Sequence, residues 1–410
     1  MASICLYFKI HESTRLSLNS PVKGLTANQF ENIEENEFIL NRLADECYLQ
    51  ANEILLNQII AQKGDFKINL SISGVMLDLL RDYRPDVIES FKVLLDTGCV
   101  EIMAETYYHS LSSLYSQAEF RRQITAHQKL VKELFGQTPS VFRNTELIHN
   151  NTIAGIISSM GFKGILCEGS EKILNGRTVN QIYAAPGTSL PLLLRNARLS
   201  DDIAFRFDDT HWSEHPLTAK KFGEWIRNHP ENDEVINLFM DYETFGFHKQ
   251  KNTGIFDFLA RLPGEILGTT PYVFSMASEA IKLYNVVGTY DVPKTISWDD
   301  KTAECCVVCE NVLQNNMLKK IYSLEKMVLG KSNEQCLHLW GILQTADYFY
   351  YMTDLRCRNN KNSYLNPFGS AQEAYKVYSS IVVEFELMLI HQSISTLNYS
   401  HYDAPAGMLY

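Results

Sequence analysis

Short apolar runs of strand type alternate with segments of helical apolar spacing through residues 2–284, and that alternation leaves few folds open. The strand-type runs fall at 2–10, 67–74, 99–105, 141–146, 164–167, 181–183, 190–194 and 235–240. Helical spacing fills 30–60, 75–81, 86–96, 117–135, 150–160, 252–262 and 275–284. Strand, helix, strand is the parallel βαβ unit, and about seven such units with reactive residue types at the strand ends predict an α/β fold, a distorted (β/α) barrel. Past Trp298 the pattern changes. Residues 302–328, 334–351 and 370–397 keep helical spacing and lose the strand signal, which predicts a C-terminal helical bundle region. The turn-rich Asp291-Val292-Pro293-Lys294 supplies the boundary, so a barrel is expected over 1–290 and helices over 291–410.

The strand ends hold the candidate chemistry. The run from Val235 to Met240 stops at Asp241, with Glu243 two positions on and Phe245-Gly246-Phe247-His248 after it. On a continuing strand, side chains two apart share a face, so both acids would point the same way at the carboxyl end, where α/β folds place their active sites. An ordinary N-cap, with Asp241 or Thr244 closing whatever follows, accounts for the same letters. Other predicted strand ends repeat the theme: His11, Glu101 and Glu105 with His109, and Glu146. Each acid alone has a structural explanation, Glu101 as an ion-pair partner of Arg143 and Glu105 as a turn cap. Together they form the arrangement that acid–base and nucleophilic chemistry requires, because neighbouring carboxylates raise one another's proton affinity.

Other chemistries find less support. His11, His248 and Asp241 are of metal-ligand type but lack a metal-binding spacing, and Cys305, Cys306 and Cys309 fit an apolar helical stripe, so no metal is expected. No glycine-rich phosphate loop or G-x-S-x-G elbow follows any strand, so no cofactor is expected either. A net charge of −11 gives no footprint for nucleic acid or an anionic membrane surface. The first residues, MASICLYFKIHEST, lack the basic and apolar regions of a signal peptide, and no apolar run reaches about 18 residues, which predicts a cytoplasmic protein. Nine cysteines, an odd number in apolar contexts, suit reduced thiols.

At these residues the chain resembles glycoside hydrolase family 57, α-glucan-active amylases, glucanotransferases and branching enzymes built on a (β/α)7 barrel with a following helical region. Ile4 to His11 (ICLYFKIH) looks like the first motif block of that family, and Gly98 to Ile102 with Glu105 to Leu111 (ETYYHSL) like the second. Phe142-Arg143-Asn144-Thr145-Glu146-Leu147 is similar to the third, Met240 to Gly246 (MDYETFG) to the fourth, and Thr295-Ile296-Ser297-Trp298-Asp299 to the fifth. Segments at 343–352 and 366–370 resemble the helical region of the intracellular α-amylase-like branch. Three departures stand out: the family's His-Gln-Pro reads His11-Glu12-Ser13, the continuation after Asp299 reads Glu304-Cys305-Cys306-Val307-Val308-Cys309-Glu310, and Tyr348 stands where His is common.

The resemblance implies a retaining glycosidase acting on α-1,4-glucans such as glycogen, starch or maltooligosaccharides, or a 4-α-glucanotransferase or branching enzyme on the same scaffold. Glu146 takes the place of the nucleophile and Asp241 that of the acid/base. His11 and His109 would hydrogen-bond sugar hydroxyls, Glu243 would support Asp241, Trp298 would stack on a ring face, and Glu101 and Asp299 would add substrate contacts. The implied partner is an α-glucan chain, with no nucleic acid or membrane; a homo-oligomer is left open. A metal-dependent sugar enzyme on a related barrel and a non-catalytic glucan-binding protein are the rival readings.

Overall fold

The parallel sheet expected from the alternation is present. The structure, a computed structural model, describes residues 2–17, 30–230, 233–268, 272–298, 311–330, 333–353 and 367–400, the segment 393–400 as backbone only. Ten strands are described: β1 (Ala2–Ile10), β2 (Ile68–Ile72), β3 (Val100–Ile102), β4 (Val141–Arg143), β5 (Gly164–Glu168), β6 (Ile182–Ala184), β7 (Pro191–Arg195), β8 (Val235–Asp241), β9 (Tyr272–Phe274) and β10 (Val286–Thr289).

Seven of them close a circuit, β1-β2-β3-β4-β5-β7-β8 and back to β1, parallel at every step. Between β3 and β4 the link is a single parallel bridge, Ala104 to Phe142, carried by Ala104 N–H to Val141 O at 2.9 Å and Arg143 N–H to Ala104 O at 2.8 Å. Distortion enters at β7, where β6 lies antiparallel along Pro191–Leu193 and only Arg195 reaches β8. The expected distorted (β/α)7 barrel is therefore the observed one. Register sets the site: Lys9 on β1 pairs with Asp241 on β8 and with Ser71 on β2.

Inside the circuit, Cys5, Tyr7, Met103, Leu166, Leu193 and Phe239 form one buried cluster. Polar side chains in this interior are satisfied, as burial demands: the Tyr7 hydroxyl donates to Asn237 Oδ1 at 2.9 Å, and the Asn237 and Asn69 amides donate to Leu194 O and Leu6 O, each at 3.0 Å. Helical spacing over 30–60 becomes Ile33–Leu43 and Leu49–Ala61 joined by a π turn over Ala44–Tyr48. Strands β9 and β10 and the helices Ala197–Ala204 and Ala219–Arg227 went unread in the sequence, the strands because three or four residues show no period.

Two compact units divide the chain, Met1–Ser13 with Glu34–Val307, and Thr14–Ile33 with Val308–Tyr410. The second is helical: Val312–Ser323, Glu325–Leu329, Glu334–Ile342, Ala346–Tyr350 and Ala371–Ser400. Trp340 is fully buried there, its indole donating to Ile321 O at 2.9 Å. Tyr348, the departure from His, donates its hydroxyl to Thr14 O at 2.5 Å within the same unit. The cysteine-rich 304–310 lies outside the described residues.

Candidate active site

Glu146 reaches the mouth of the barrel on a turn rather than on a strand. β4 ends at Arg143, and the short 3-10 turn Thr145–Leu147 follows. Of the five non-glycine residues with positive φ among the described residues, three fall here: His109 at 50°, Glu146 at 52° and Leu147 at 50°. Left-handed backbone costs an L-residue on the order of 1–3 kcal/mol and persists only where surroundings hold it, which marks candidate functional sites. The holding groups are visible. Trp298 N–H bonds to Glu146 O at 3.2 Å, and His149 and Ile296 exchange two backbone bonds, at 2.9 and 3.0 Å.

The Glu146 carboxylate meets donors on each oxygen. His109 Nε2 lies 2.9 Å from Oε1, Trp298 Nε1–H donates to Oε2 at 2.5 Å, and Lys9 Nζ stands 3.9 Å from Oε1. Burial alone would raise this group's pKa; the Lys9 charge, His109 and the Trp298 indole outweigh it and hold the carboxyl well below the usual range. The same Lys9 ammonium is 3.2 Å from Asp241 Oδ1, so one cation touches both acids. Asp241 stands at the N-cap position of the turn after it but makes no side-chain capping bond there.

The expectation that Asp241 and Glu243 share a face fails, because the strand stops at Asp241 and Tyr242–Thr244 turns as 3-10. Glu243 is buried and accepts from the Tyr48 hydroxyl at 2.6 Å. Burial first, and then the Asp241 charge, push its pKa up to about 8, so at neutral pH this carboxyl holds a proton beside Asp241. His248, also close, is pushed toward the neutral imidazole mainly by burial.

Beneath lies a fully buried support. Glu105 Oε2 sits 3.2 Å from Arg143 Nη2 and 3.3 Å from His109 Nδ1, while Oε1 accepts from Ser71 Oγ at 2.8 Å. Burial would raise Glu105, but Arg143 and His109 hold it below the usual carboxylate range. His109 thus carries a carboxylate oxygen within reach of each ring nitrogen. His127 Nε2 faces Ile72 O at 2.8 Å, a contact that makes Nε2 the donor and leaves Nδ1 to accept from Glu105 N–H at 3.4 Å. His11 stacks on His109 with ring centroids 4.1 Å apart and bonds Ser73 Oγ at 2.7 Å.

Of the residues singled out in the sequence, His11, His109, Glu146, Asp241 and Trp298 come together, with Glu243 adjacent but turned toward Tyr48. Glu101 does not join them: it accepts from Ser278 N–H at 2.9 Å at the start of the helix Ala277–Leu283, near Glu279 and Lys282. Nor does it pair with Arg143, which goes to Glu105. Trp298 is less free than a sugar platform would be, since Phe205 stacks on it at 5.9 Å, nearly parallel. Asp299 lies outside the described residues. Lys9 went unassigned in the sequence, although it was legible there as a cation in the inward column Cys5-Tyr7-Lys9. Among the described residues no three His, Cys, Asp or Glu side chains converge as a metal site, and no helix is long and apolar enough to cross a membrane.

Comparison with known proteins identifies the family and the fold. The model of glycosyl hydrolase family 57 matches residues 5–293. A protein of Methanocaldococcus jannaschii named "Putative alpha-amylase" is 38% identical over 400 residues, covering 93% of this chain and 84% of that protein. Among solved structures, a family 57 branching enzyme from Thermococcus kodakaraensis superposes with a TM-score of 0.70 at 13% identity, covering 95% of this chain and 91% of its own. A 4-alpha-glucanotransferase from Thermococcus litoralis gives 0.66 at 15% identity and covers 85% of this chain, which spans 56% of that enzyme. At such identities the structures speak for the fold.

Proposed function

We propose, from the premise that this chain belongs to glycosyl hydrolase family 57, that it is a retaining α-amylase-like enzyme acting on α-1,4-glucans. The observation that carries the reading is the shared Lys9 ammonium, 3.9 Å from Glu146 and 3.2 Å from Asp241, which draws two carboxylates from opposite sides of the barrel mouth into one site. Their nearest oxygens can be no farther apart than those two contacts laid end to end. That excludes the wide end of the separation inverting enzymes use, roughly 6.5 to 9.5 Å, and admits the roughly 5 to 5.5 Å of retaining ones.

Glu146, kept ionised by Lys9, His109 and Trp298, attacks the anomeric carbon as Asp241 gives a proton to the departing glycosidic oxygen. Asp241, now a base, takes a proton from water or from a sugar hydroxyl, whose oxygen displaces the glycosyl group from Glu146. His11, stacked on His109, would hydrogen-bond a sugar hydroxyl at the cleavage point. Transfer to a second sugar, as the names of the branching enzyme and glucanotransferase relatives suggest, differs only in which acceptor reaches the glycosyl-enzyme.

The test is release of reducing ends from maltooligosaccharides or glycogen by wild type and Glu146→Gln. Loss of release in the variant is expected; equal rates would remove Glu146 from the chemistry. Chromatography after incubation with maltotriose separates the acceptors, because longer oligomers appear only by transfer.

A further inference from the structure

Asp241, given the acid/base role, ends β8 with no side-chain capping bond to the turn that follows it, Tyr242–Thr244. General acid catalysis needs its carboxyl held to within about 0.5 Å, so another part of the chain must fix that turn. The π turn Ala44–Tyr48 lies against it. Leu49 N–H bonds Ala44 O there, one residue beyond the regular helical span. Such insertions are rare and recur at functional sites.

Three consecutive residues of the π turn meet the chain after β8. The Cys47 thiol donates to Tyr242 O at 3.2 Å, and the Tyr48 hydroxyl donates to Glu243 Oε1 at 2.6 Å. Glu46 O closes against Gly246, whose φ is 107° and where a Cβ would lie 2.0 Å from that oxygen, so only glycine permits the approach. Adjacent residues of a regular helix point about 100° apart and do not face one target. From the turn the restraint runs outward. The Tyr242 ring lies nearly parallel to that of Tyr48, centroids 6.1 Å apart, and its hydroxyl donates to Asn52 Oδ1 at 2.5 Å. Asn52 Nδ2 donates to Ser90 Oγ at 2.7 Å, and Ser90 Oγ to Val87 O at 2.7 Å, which ties the turn to the helices Leu49–Ala61 and Pro85–Asp96. Cys47, Tyr48, Asn52 and Tyr242 are all buried. Burial, and after it the Glu243 charge, hold the Tyr48 phenol far above its usual range, so it keeps the proton it donates.

We propose that Tyr48 is a positioning residue for the acid/base: presented by the π turn, its hydroxyl, with the Cys47 thiol beside it, fixes the Tyr242–Thr244 turn and so aims the Asp241 carboxyl at the departing glycosidic oxygen. The inference rests on the acid/base role given to Asp241. A tyrosine placed for packing alone needs its ring buried and its hydroxyl satisfied by any acceptor. Here the acceptor is a carboxyl two residues past Asp241, and the neighbouring thiol bonds the backbone between the two.

Two leaving groups test this. A sugar leaving from maltoheptaose needs the acid's proton, whereas fluoride departs from α-maltotriosyl fluoride without one. Tyr48→Phe removes the hydroxyl and keeps the ring, so kcat/KM on maltoheptaose should fall about tenfold, the worth of one hydrogen bond to a charged or buried group. On the fluoride, kcat/KM should stay unchanged within error. Cys47→Ala should show the same selective loss, and Cys47→Ser, which keeps a donor for Tyr242 O, should recover maltoheptaose turnover. Equal losses on both substrates, as a merely structural role would give, or no loss on maltoheptaose, overturns the proposal. Failure of the catalytic reading is seen separately, as Asp241→Asn protein that turns over maltoheptaose at the wild-type rate or Glu146→Gln protein fully active on the fluoride; either removes the premise whatever Tyr48→Phe does.

Discussion

Replacing Lys9 by Gln removes the ammonium that touches both acids and keeps a side chain of similar reach. At 3.9 Å a unit charge acts on another with about 4 kcal/mol at an effective dielectric near 20 and about 1 kcal/mol in water. Lys9 and Glu146 are 16% and 17% exposed, which places their coupling between these limits and nearer the first. At 1.36 kcal/mol per unit, the loss moves the Glu146 pKa by about one to three units. The direction is upward, since Lys9 favours the anion and its removal lets burial reassert itself against His109 and Trp298. The acidic limb of the kcat/KM profile reports ionisation of the free enzyme's nucleophile, so in Lys9→Gln it should climb from far-acid pH into the range where activity is measured. Lys9→Arg keeps the charge and should leave the limb near its wild-type position. Initial rates on maltoheptaose from pH 3 to 8 decide it. Coinciding acidic limbs in wild type and Lys9→Gln would refute the role given to Lys9.

Three further outcomes follow from the same geometry. Trp298→Phe keeps the stack on Phe205 and removes the indole donor to Glu146, so kcat/KM should fall about 10- to 100-fold, the worth of a hydrogen bond to a charged group, with the melting temperature little changed. Glu105→Gln leaves the buried Arg143 guanidinium without its carboxylate and should cost about 3 to 5 kcal/mol in denaturant unfolding. Glu243, pushed from 4.5 to about 8, keeps a proton in the folded state that the unfolded chain has released, so stability falls as pH rises through that window. Gln at 243 has no such slope and still accepts from Tyr48; thermal melts should show it level with wild type near pH 4 and more stable than wild type at pH 9.

Strands, helices and most of the candidate site were legible because each rests on a local signal. The runs that became β1, β2, β5 and β8 are apolar and bounded by turn residues, and Asp241 closes the last of them, while Glu105 and Glu146 follow the shorter β3 and β4. What escaped was everything set by a bend or by a distant partner. Glu243 was read on Asp241's face because period 2 assumes a strand that continues, and a 3-10 turn ended it. Glu101 was read with the mouth residues because its strand is short, whereas register lays it beside Asn69 and a helix start.

Alone, the order of residues determined that a parallel barrel with acids at its strand ends would form, since hydrophobic period and chain reversal are properties of neighbouring residues. Tertiary structure decided which of those acids meet. Glu146 and Asp241 are far apart in the chain, one on the turn after β4 and the other at the end of β8, strands that do not pair with each other, and only the closure of the circuit through β1 brings Lys9 between them. The same closure stacks His11 on His109 and lays the Trp298 strap across Glu146. Charge coupling falls off with distance through space, so a site made by it is written in the closed fold and not in any one stretch of the chain.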